Sequence, residues 1–268
     1  MRLYRYSGAG NSFVVVDARN IDAARYKRKD IVHMLCLLHG TDGLMVLESS
    51  KVADFHMDYF NSDGSGGMLC GNGGRCIVAF ADLLGVKPFH STEYCFETAD
   101  GIHRAEILSH LGECKIIRLG MKDVSDVRQT GGGWFLDTGT RHFVLFVDDA
   151  EAVDVEDEGP RYRNAPAFAP EGTNVNFVSV DPDGTLRVRT FEKGVEAETL
   201  ACGTGITASA IAAHLHGIPA KTGEDGSFHY DIQARQDRLS VDFSVTAEGR
   251  FTDIRLTGPT VFEGCLDD

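Results

Sequence analysis

Two cysteines stand in the same short context, each followed at once by glycine: Cys70 in MLCGNGGRC and Cys202 in LACGTGITA. An apolar stretch comes after each glycine turn, so we predict a helix that begins within this turn, a few residues beyond the cysteine. The unpaired N–H groups and the positive dipole end of such a helix favour a carboxylate ligand. The same helix end lowers the pKa of a cysteine toward neutrality. Each motif therefore predicts a carboxylate site beside a thiolate.

Two such sites around one α-carboxylate could invert an amino acid at Cα. One thiolate would remove the Cα proton while the other thiol delivers a proton to the opposite face. Without pyridoxal phosphate, so weakly acidic a proton requires charge stabilisation at the carboxylate, which two helix N-termini could supply. The glycine turns let the backbone close tightly on a ligand. The pattern indicates a cofactor-independent racemase or epimerase.

The motif repeats because the chain itself repeats. Gly8 and Gly139 open GAGNSFVVVD and GTRHFVLFVD, and Phe60 and Phe191 open FNSDG and FEKGV, both at an offset of 131 residues. The offset between the two cysteines is 132, which indicates one inserted residue before Cys202. We predict two halves of one design, residues 1–116 and 117–258, with residues 259–268 completing the first half.

Each half has the same order of predicted elements. Runs rich in aromatic and β-branched residues predict strands at its start. Helices predicted over 74–84 and 205–215 are apolar on nearly every face, which places them at the centre of a domain. A surface helix predicted over 22–38 has no obvious counterpart in the second half. The expected fold is α/β (α+β), with two pseudo-symmetric domains, each a strongly curved β-sheet wrapped around a central buried helix.

Composition excludes several classes of function. A net charge of −14, from 26 basic and 40 acidic residues, gives no surface for nucleic acid or anionic lipid. The apolar runs are too short to span a membrane, and the start MRLYRYSGAGN lacks signal-peptide features, so we expect a cytoplasmic protein. Seven cysteines at irregular spacings argue against a disulfide scaffold. We predict no metal site, since no C-x2-C or C-x4-C pair occurs.

Four segments, GAGNSFVVVD, FNSDGSGGMLCGNGGRC, GTNVNFV and FEKGVEAETLACGTG, carry a resemblance to a known family over nearly the whole chain. In this order they closely resemble diaminopimelate epimerases, pyridoxal-independent enzymes that interconvert LL- and meso-diaminopimelate. The resemblance implies two similar α/β domains, a homodimer, an amino-acid substrate, no cofactor, and a role in making lysine and the peptidoglycan cross-linking residue.

The resemblance also assigns roles to individual residues. It makes Cys70 and Cys202 the proton donor and acceptor pair. Residues that bind the reacting α-carboxylate would be Gly71, Asn72, Gly203 and Thr204. Further substrate-binding positions would be Asn11, Asn61, Thr140, Asn174 and Lys193, with Asn61 and Asn174 toward the distal, non-reacting end. His142 and Glu192 match groups that tune the cysteines, and Glu192 also lies near the reacting ammonium.

Some positions depart from the family pattern. Thr140 and Arg141 stand where Asn or Ser and Pro are expected, and Ser12 replaces an aspartate. Lys193 replaces a family arginine that binds the distal carboxylate through two parallel hydrogen bonds. A lysine ammonium offers only a point charge at this position. These substitutions thus leave open how the distal end of the substrate is bound. An epimerase or racemase of lanthionine or histidine on the same scaffold is the alternative.

Reactions other than epimerisation fit the cysteine pair less well. A thiol switch through a Cys70–Cys202 disulfide would need no glycine-rich carboxylate turns, and the chain offers no resolving C-x-x-C pair. A ligand-binding module without turnover is the third hypothesis. Exchange of the substrate Cα proton with solvent discriminates turnover from both.

Overall fold

The computed structural model describes residues 2–67, 69–89 and 92–266. It divides the chain into two compact units: unit 1 comprises Met1–Leu119 with Gly258–Asp268, and unit 2 comprises Gly120–Thr257. None of the helices in the described part of the chain combines the length and the apolar character that a membrane span requires.

Unit 1 is a ring of strands closed around one helix. Its elements are β1 (Leu3–Gly8), β2 (Asn11–Asp17), α1 (Lys29–His39), β3 (Gly43–Glu48), β4 (Phe55–Asn61), α2 (Gly71–Leu83), β5 (Glu93–Thr98), β6 (Gly101–Leu111), β7 (Cys114–Gly120) and the last part of β17 (Phe251–Leu266). Each strand from β1 to β7 pairs with the next, and β17 closes the ring by pairing with both β7 and β1.

Two crossovers in unit 1 explain where its helices lie. The pairs β2–β3 and β4–β5 are parallel, and parallel neighbours require a crossover connection, usually a helix. Helix α1 makes the first crossover and α2 the second. Every residue from Gly71 to Ala81 of α2 is buried, because strands surround that helix. The cysteine before α2 is therefore fixed at the end of a rigid core element.

Unit 2 repeats the order of strands and helices around two crossovers and adds further short strands. Its elements are β8 (Val127–Thr130), β9 (Gly133–Asp137), β10 (Arg141–Phe146), α3 (Val155–Arg163), β11 (Asn174–Val180), β12 (Leu186–Glu192), β13 (Ala197–Thr199), α4 (Gly203–His216), β14 (Lys221–Thr222), β15 (Phe228–Gln233), β16 (Arg238–Val245) and the first part of β17. The pairs β10–β11 and β12–β15 are parallel, and α3 and α4 are their crossovers. Helix α4 is buried from Gly205 to Ala213.

The predicted fold of curved sheets wrapped around buried helices is confirmed, with three differences in helix placement. Helices α2 and α4 begin at Gly71 and Gly203, earlier than predicted, because burial overrides the low helix propensity of glycine. The prediction of one helix over 22–38 was wrong. The chain there forms a short 3-10 turn, takes an extended conformation at Arg28, and only then begins α1. This break turns Tyr26 into the core, where it is 5% exposed.

The second half does have a counterpart of α1, contrary to the prediction. Helix α3 occupies the equivalent crossover between β10 and β11. Its sequence, VEDEGPRYR, is polar and contains Pro160, so neither an apolar period nor helix propensity indicates it. Asp154 begins the helix by accepting a hydrogen bond from the backbone N–H of Asp157, and buried Val155 anchors it.

Candidate active site

Cys70 occupies the N-cap position of α2. Its backbone is extended, with φ −84° and ψ 123°, and its carbonyl accepts the first helical hydrogen bond from the N–H of Gly74 at 2.7 Å. No side-chain hydrogen bond from Cys70 caps the helix. The first N–H groups of a helix have no partner within the helix. This helix end therefore suits an anion beside a half-buried sulfur.

Asn72, in the first turn of the same helix, joins two other side chains. Its Nδ2 donates to Oδ1 of Asn11 at 2.7 Å, and its Oδ1 accepts from the guanidinium of Arg75 at 2.8 Å. Arg75 is completely buried and also donates to the carbonyl of Gly71 at 3.2 Å. A planar guanidinium can hold both acceptors at once. Arg75 thus fixes the orientation of the Asn72 amide and, through it, that of Asn11.

Asn61 lies at the end of β4 in a separate polar group. Its Oδ1 accepts from the Tyr59 hydroxyl, and its Nδ2 donates to the Ser65 hydroxyl, both at 3.0 Å. Gly67 lies against the Tyr59 ring so closely that a Cβ there would come within 2.4 Å of it. Asn61 is exposed, and its side-chain hydrogen bonds join it to Tyr59 and Ser65.

Cys202 occupies the N-cap position of α4, as Cys70 does for α2. Its backbone is again extended, with φ −113° and ψ 112°, and its carbonyl accepts from the N–H of Ile206 at 2.8 Å. The Cys202 sulfur lies 3.3 Å from the hydroxyl of Thr204. The carbonyl of Thr204 in turn accepts from the Thr138 hydroxyl at 2.8 Å. Thr138 thereby ties the first turn of α4 to the end of β9.

His142 is connected to Cys202 through hydroxyl groups. Its Nε2 lies 2.9 Å from the hydroxyls of both Thr140 and Thr204, and these two hydroxyls are 2.9 Å apart. The ring is completely buried. Burial lowers the pKa of His142 from 6.5 to about 3, and the charge of Asp137 opposes only part of this shift. The imidazole is therefore neutral at physiological pH.

Asn174, Lys193 and Glu192 meet beside this group. Asn174 pairs with His142 in the parallel β10–β11 ladder. Its amide donates to the carbonyl of Arg141 at 2.8 Å and accepts from the backbone N–H of Lys193 at 2.8 Å. Glu192 ends β12, and its carboxylate accepts from the Thr199 hydroxyl at 3.0 Å. The Lys193 side chain lies in an exposed turn beyond it.

The structure thus groups most of the predicted site residues within each unit. In unit 1, Asn11 and Asn72 are hydrogen-bonded beside Gly71, while Asn61 belongs to its own loop cluster. In unit 2, Thr140, His142 and Thr204 form one hydroxyl–imidazole cluster that reaches Cys202. Gly203 begins the helix that completes it.

Two partners of these residues were missed in the sequence. Asn176 lies two residues after Asn174 and therefore on the same face of β11, and its Nδ2 lies 3.1 Å from Nδ1 of His142. The spacing in NVNF was a usable signal. Arg75 is the single charged residue between Gly71 and Ala81 of α2, which was another signal.

Among the described residues, one group of side chains has metal-ligand chemistry. Ligand-type atoms of Glu48, His56 and Asp58 lie within 4.8 Å of one another. The Lys27 ammonium pairs with the carboxylates of both Glu48 and Asp58, so a lysine already balances their charge. The sequence expectation of no metal stays a prediction.

The chain also matches a known protein family. The family model described as diaminopimelate epimerase matches residues 3–120 and 134–230. The chain is 39% identical to a diaminopimelate epimerase of Flavobacterium psychrophilum, over 98% of each chain. It is 43% identical to one of Chlorobaculum tepidum, over 81% of this chain and 88% of the relative.

A solved structure shares the fold at much lower identity. The phenazine biosynthesis protein of the PhzF family from Bacillus anthracis superposes with a TM-score of 0.78 at 15% identity, over 99% of this chain and 98% of that one. At this identity the likeness concerns the fold alone.

Proposed function

The chain belongs to the diaminopimelate epimerase family, and from this premise we propose that it interconverts LL- and meso-diaminopimelate with Cys70 and Cys202 as a pair of proton-transfer groups. One observation carries the proposal. Each of these cysteines occupies the N-cap of a buried helix that begins with glycine, in two units with the same order of elements. Inversion of one carbon requires two proton-transfer groups, and each unit supplies one in the same local setting.

In this mechanism, the thiolate of one cysteine takes the Cα proton. The electron pair of the broken C–H bond stays on the substrate and is delocalised into the α-carboxylate, where donors at a helix N-terminus stabilise it. The other cysteine donates its S–H proton to the opposite face of Cα and becomes the thiolate. The two sulfurs have then exchanged protonation states, so the reverse reaction uses the same groups in opposite roles.

The remaining site residues take the roles that the resemblance implies. Gly71, Asn72, Gly203 and Thr204 hold the α-carboxylate at the two helix starts. Asn11 and Thr140 contact the substrate beside them, and Asn61, Asn174 and Lys193 serve its distal end. His142 and Glu192 tune the cysteines, and Glu192 faces the reacting ammonium.

We further propose that the enzyme works in the cytoplasm as a homodimer, and that it serves lysine and peptidoglycan precursor biosynthesis without a cofactor. The family resemblance supports each of these points. The acidic composition, with a net charge of −14, is compatible with a small zwitterionic substrate and unfavourable for polyanionic partners.

The test is exchange of the substrate Cα proton in deuterated water under reducing conditions. We expect the wild type to exchange LL-diaminopimelate, and Cys70→Ser and Cys202→Ser each to lose roughly 10²-fold or more, since a serine hydroxyl is a far weaker base than a thiolate. Cys265→Ser is the matched control, because Cys265 is exposed.

A substrate panel separates the alternatives. Lanthionine, histidine and lysine are tested beside LL-diaminopimelate. Cα exchange with histidine or lanthionine but not with diaminopimelate would change the assigned substrate and leave the proposed mechanism unchanged. Binding without exchange of any substrate would instead favour a ligand-binding module or a thiol switch.

A further inference from the structure

We propose that Asn176, held by Thr190, is a positioning residue that fixes His142 in the tautomer with hydrogen on Nε2 and so directs the Thr204 hydroxyl toward the Cys202 sulfur. The inference rests on the proposed function, since it assigns a role within that site. All of its residues lie in unit 2.

The orientation of the Asn176 amide sets the tautomer. Its Nδ2 lies 3.4 Å from the carbonyl oxygen of Phe143, which can only accept, and its Oδ1 accepts from the Thr190 hydroxyl at 2.9 Å. The amide nitrogen therefore faces His142, 3.1 Å from Nδ1. An amide NH2 only donates, so Nδ1 must accept and carries no hydrogen. A neutral imidazole then has its hydrogen on Nε2.

The Nε2 hydrogen completes the hydrogen bonds of the hydroxyl cluster. Thr140 and Thr204 each supply one hydroxyl hydrogen, and both oxygens lie 2.9 Å from Nε2. With Nε2–H as a third donor, Thr140 can donate to Thr204, and Thr204 can donate to the Cys202 sulfur 3.3 Å away. With a bare Nε2, the imidazole takes one of the two hydroxyl hydrogens, so a single hydrogen remains for both the Thr140–Thr204 contact and the Cys202 sulfur. The first arrangement favours thiolate at Cys202, because a donor stabilises the charged form.

Close packing holds the pair in place. A Cβ at Gly205 would lie 2.4 Å from Oδ1 of Asn176 and 3.2 Å from Cε1 of His142, so the first turn of α4 rests directly on both side chains. Asn176, Thr190 and His142 are all nearly or completely buried. In this environment, neither the imidazole nor the amide can turn without losing its partner.

The tautomer is measured directly by nitrogen-15 NMR of histidine-labelled protein. We expect wild-type His142 to show a pyridine-type Nδ1 and a pyrrole-type Nε2 at neutral pH. In Asn176→Asp the carboxylate only accepts, so the two signals should exchange character at nearly unchanged side-chain volume. A protonated Nδ1 in the wild type overturns the proposal.

The consequence for Cys202 is measured by alkylation of freshly reduced protein, resolved by peptide mass spectrometry. We expect Asn176→Asp to slow alkylation of Cys202 at neutral pH roughly tenfold, the effect of losing one hydrogen bond to a charged group. Cys70 in the same molecule should keep its rate. Thr190→Val should slow alkylation of Cys202 by a smaller factor, since it frees the Asn176 amide to turn. Thr185→Val is the control, because Thr185 is nearly as buried as Thr190.

The outcomes are distinct. Equal Cys202 rates in wild type and a folded Asn176→Asp protein refute the proposal. If Asn176→Asp fails to fold, the wild-type NMR signals and the Thr190→Val comparison decide it. A wild type that shows the expected tautomer and Cys202 reactivity but no Cα exchange with diaminopimelate refutes the proposed function and leaves this inference standing.

Discussion

At the scale of single residues, burial of His142 couples the site to folding. Its folded-state pKa is about 3, lowered by burial from 6.5. In the unfolded chain the imidazole is exposed and takes up a proton near its ordinary pKa. Between these two values the unfolded state binds more protons than the folded state, so stability rises with pH across this window. The contribution of His142 is complete above pH 6.5 and is lost as the pH falls.

We therefore predict a pH-dependent loss of stability that a non-titrating variant lacks. The free energy of unfolding should fall, through His142, by up to about 1.4 kcal/mol per pH unit below pH ~6.5. Urea unfolding of wild type and His142→Gln, at about pH 7.5 and pH 5, measures the two slopes. His214, whose pKa burial also lowers, is present in both proteins and cancels. Equal slopes would contradict the prediction.

At the scale of elements, α2 and α4 are equivalent helices with different neighbours at the same position. Gly73 and Gly205 each stand three residues after the N-cap cysteine. A Cβ at Gly73 would meet the flexible Met45 side chain, with Sδ at 3.3 Å. A Cβ at Gly205 would meet Asn176 Oδ1 at 2.4 Å, within a hydrogen-bonded pair that cannot move away. Only at Gly205 does the close approach of another side chain, that of Asn176, require glycine.

Alanine substitutions at these two positions should change the free energy of unfolding by amounts that differ in sign or size. Alanine gains about 1 kcal/mol of helix propensity over glycine, so Gly73→Ala should be close to neutral. Gly205→Ala should destabilise by roughly 1–3 kcal/mol, the usual cost of overpacking, and should also reduce Cα exchange by displacing His142. Thermal unfolding of both variants provides the comparison. Similar losses at both positions would show that the Asn176 contact is not decisive.

At the scale of the whole molecule, the last strand serves both units. The first part of β17 pairs with β16 in unit 2, and residues 258–266 close the unit 1 ring against β1 and β7. In unit 2, Val124 follows β7 along the chain and bridges Phe251. The segment just after β7 thus adds an isolated bridge to the first part of β17 within unit 2.

Truncation tests this dependence. A chain ending at Thr257 lacks the strand that pairs with β1, so unit 1 would expose two open strand edges. We expect the free energy of unfolding to fall by more than ~5 kcal/mol, the lower end of domain stability. The shortened chain should then show no cooperative unfolding, or should aggregate. A chain ending at Leu266 keeps every described pairing and is the control. Cooperative unfolding of the shorter chain, with wild-type stability, would contradict the expected role of β17.

The family resemblance and the curved-sheet fold, both predicted from the sequence, are confirmed. Local patterns were sufficient for these, because strand and helix periods and the glycine turns after Cys70 and Cys202 depend on neighbours in the chain. Polar α3 and the early start of α2 were not predicted, since packing decides both. Asn176 and Arg75 had weak signals in NVNF and GNGGRC that gained meaning only from their partners.

The sequence by itself determined that two halves repeat and that each carries one cysteine before a buried helix. Only the tertiary structure decided which side chains support those cysteines. The contact of His142 with Thr204, and that of Asn11 with Asn72, join residues about sixty positions apart. Such contacts depend on how strands and helices pack, because hydrogen-bond partners in a buried site are chosen by distance and orientation rather than by order in the chain.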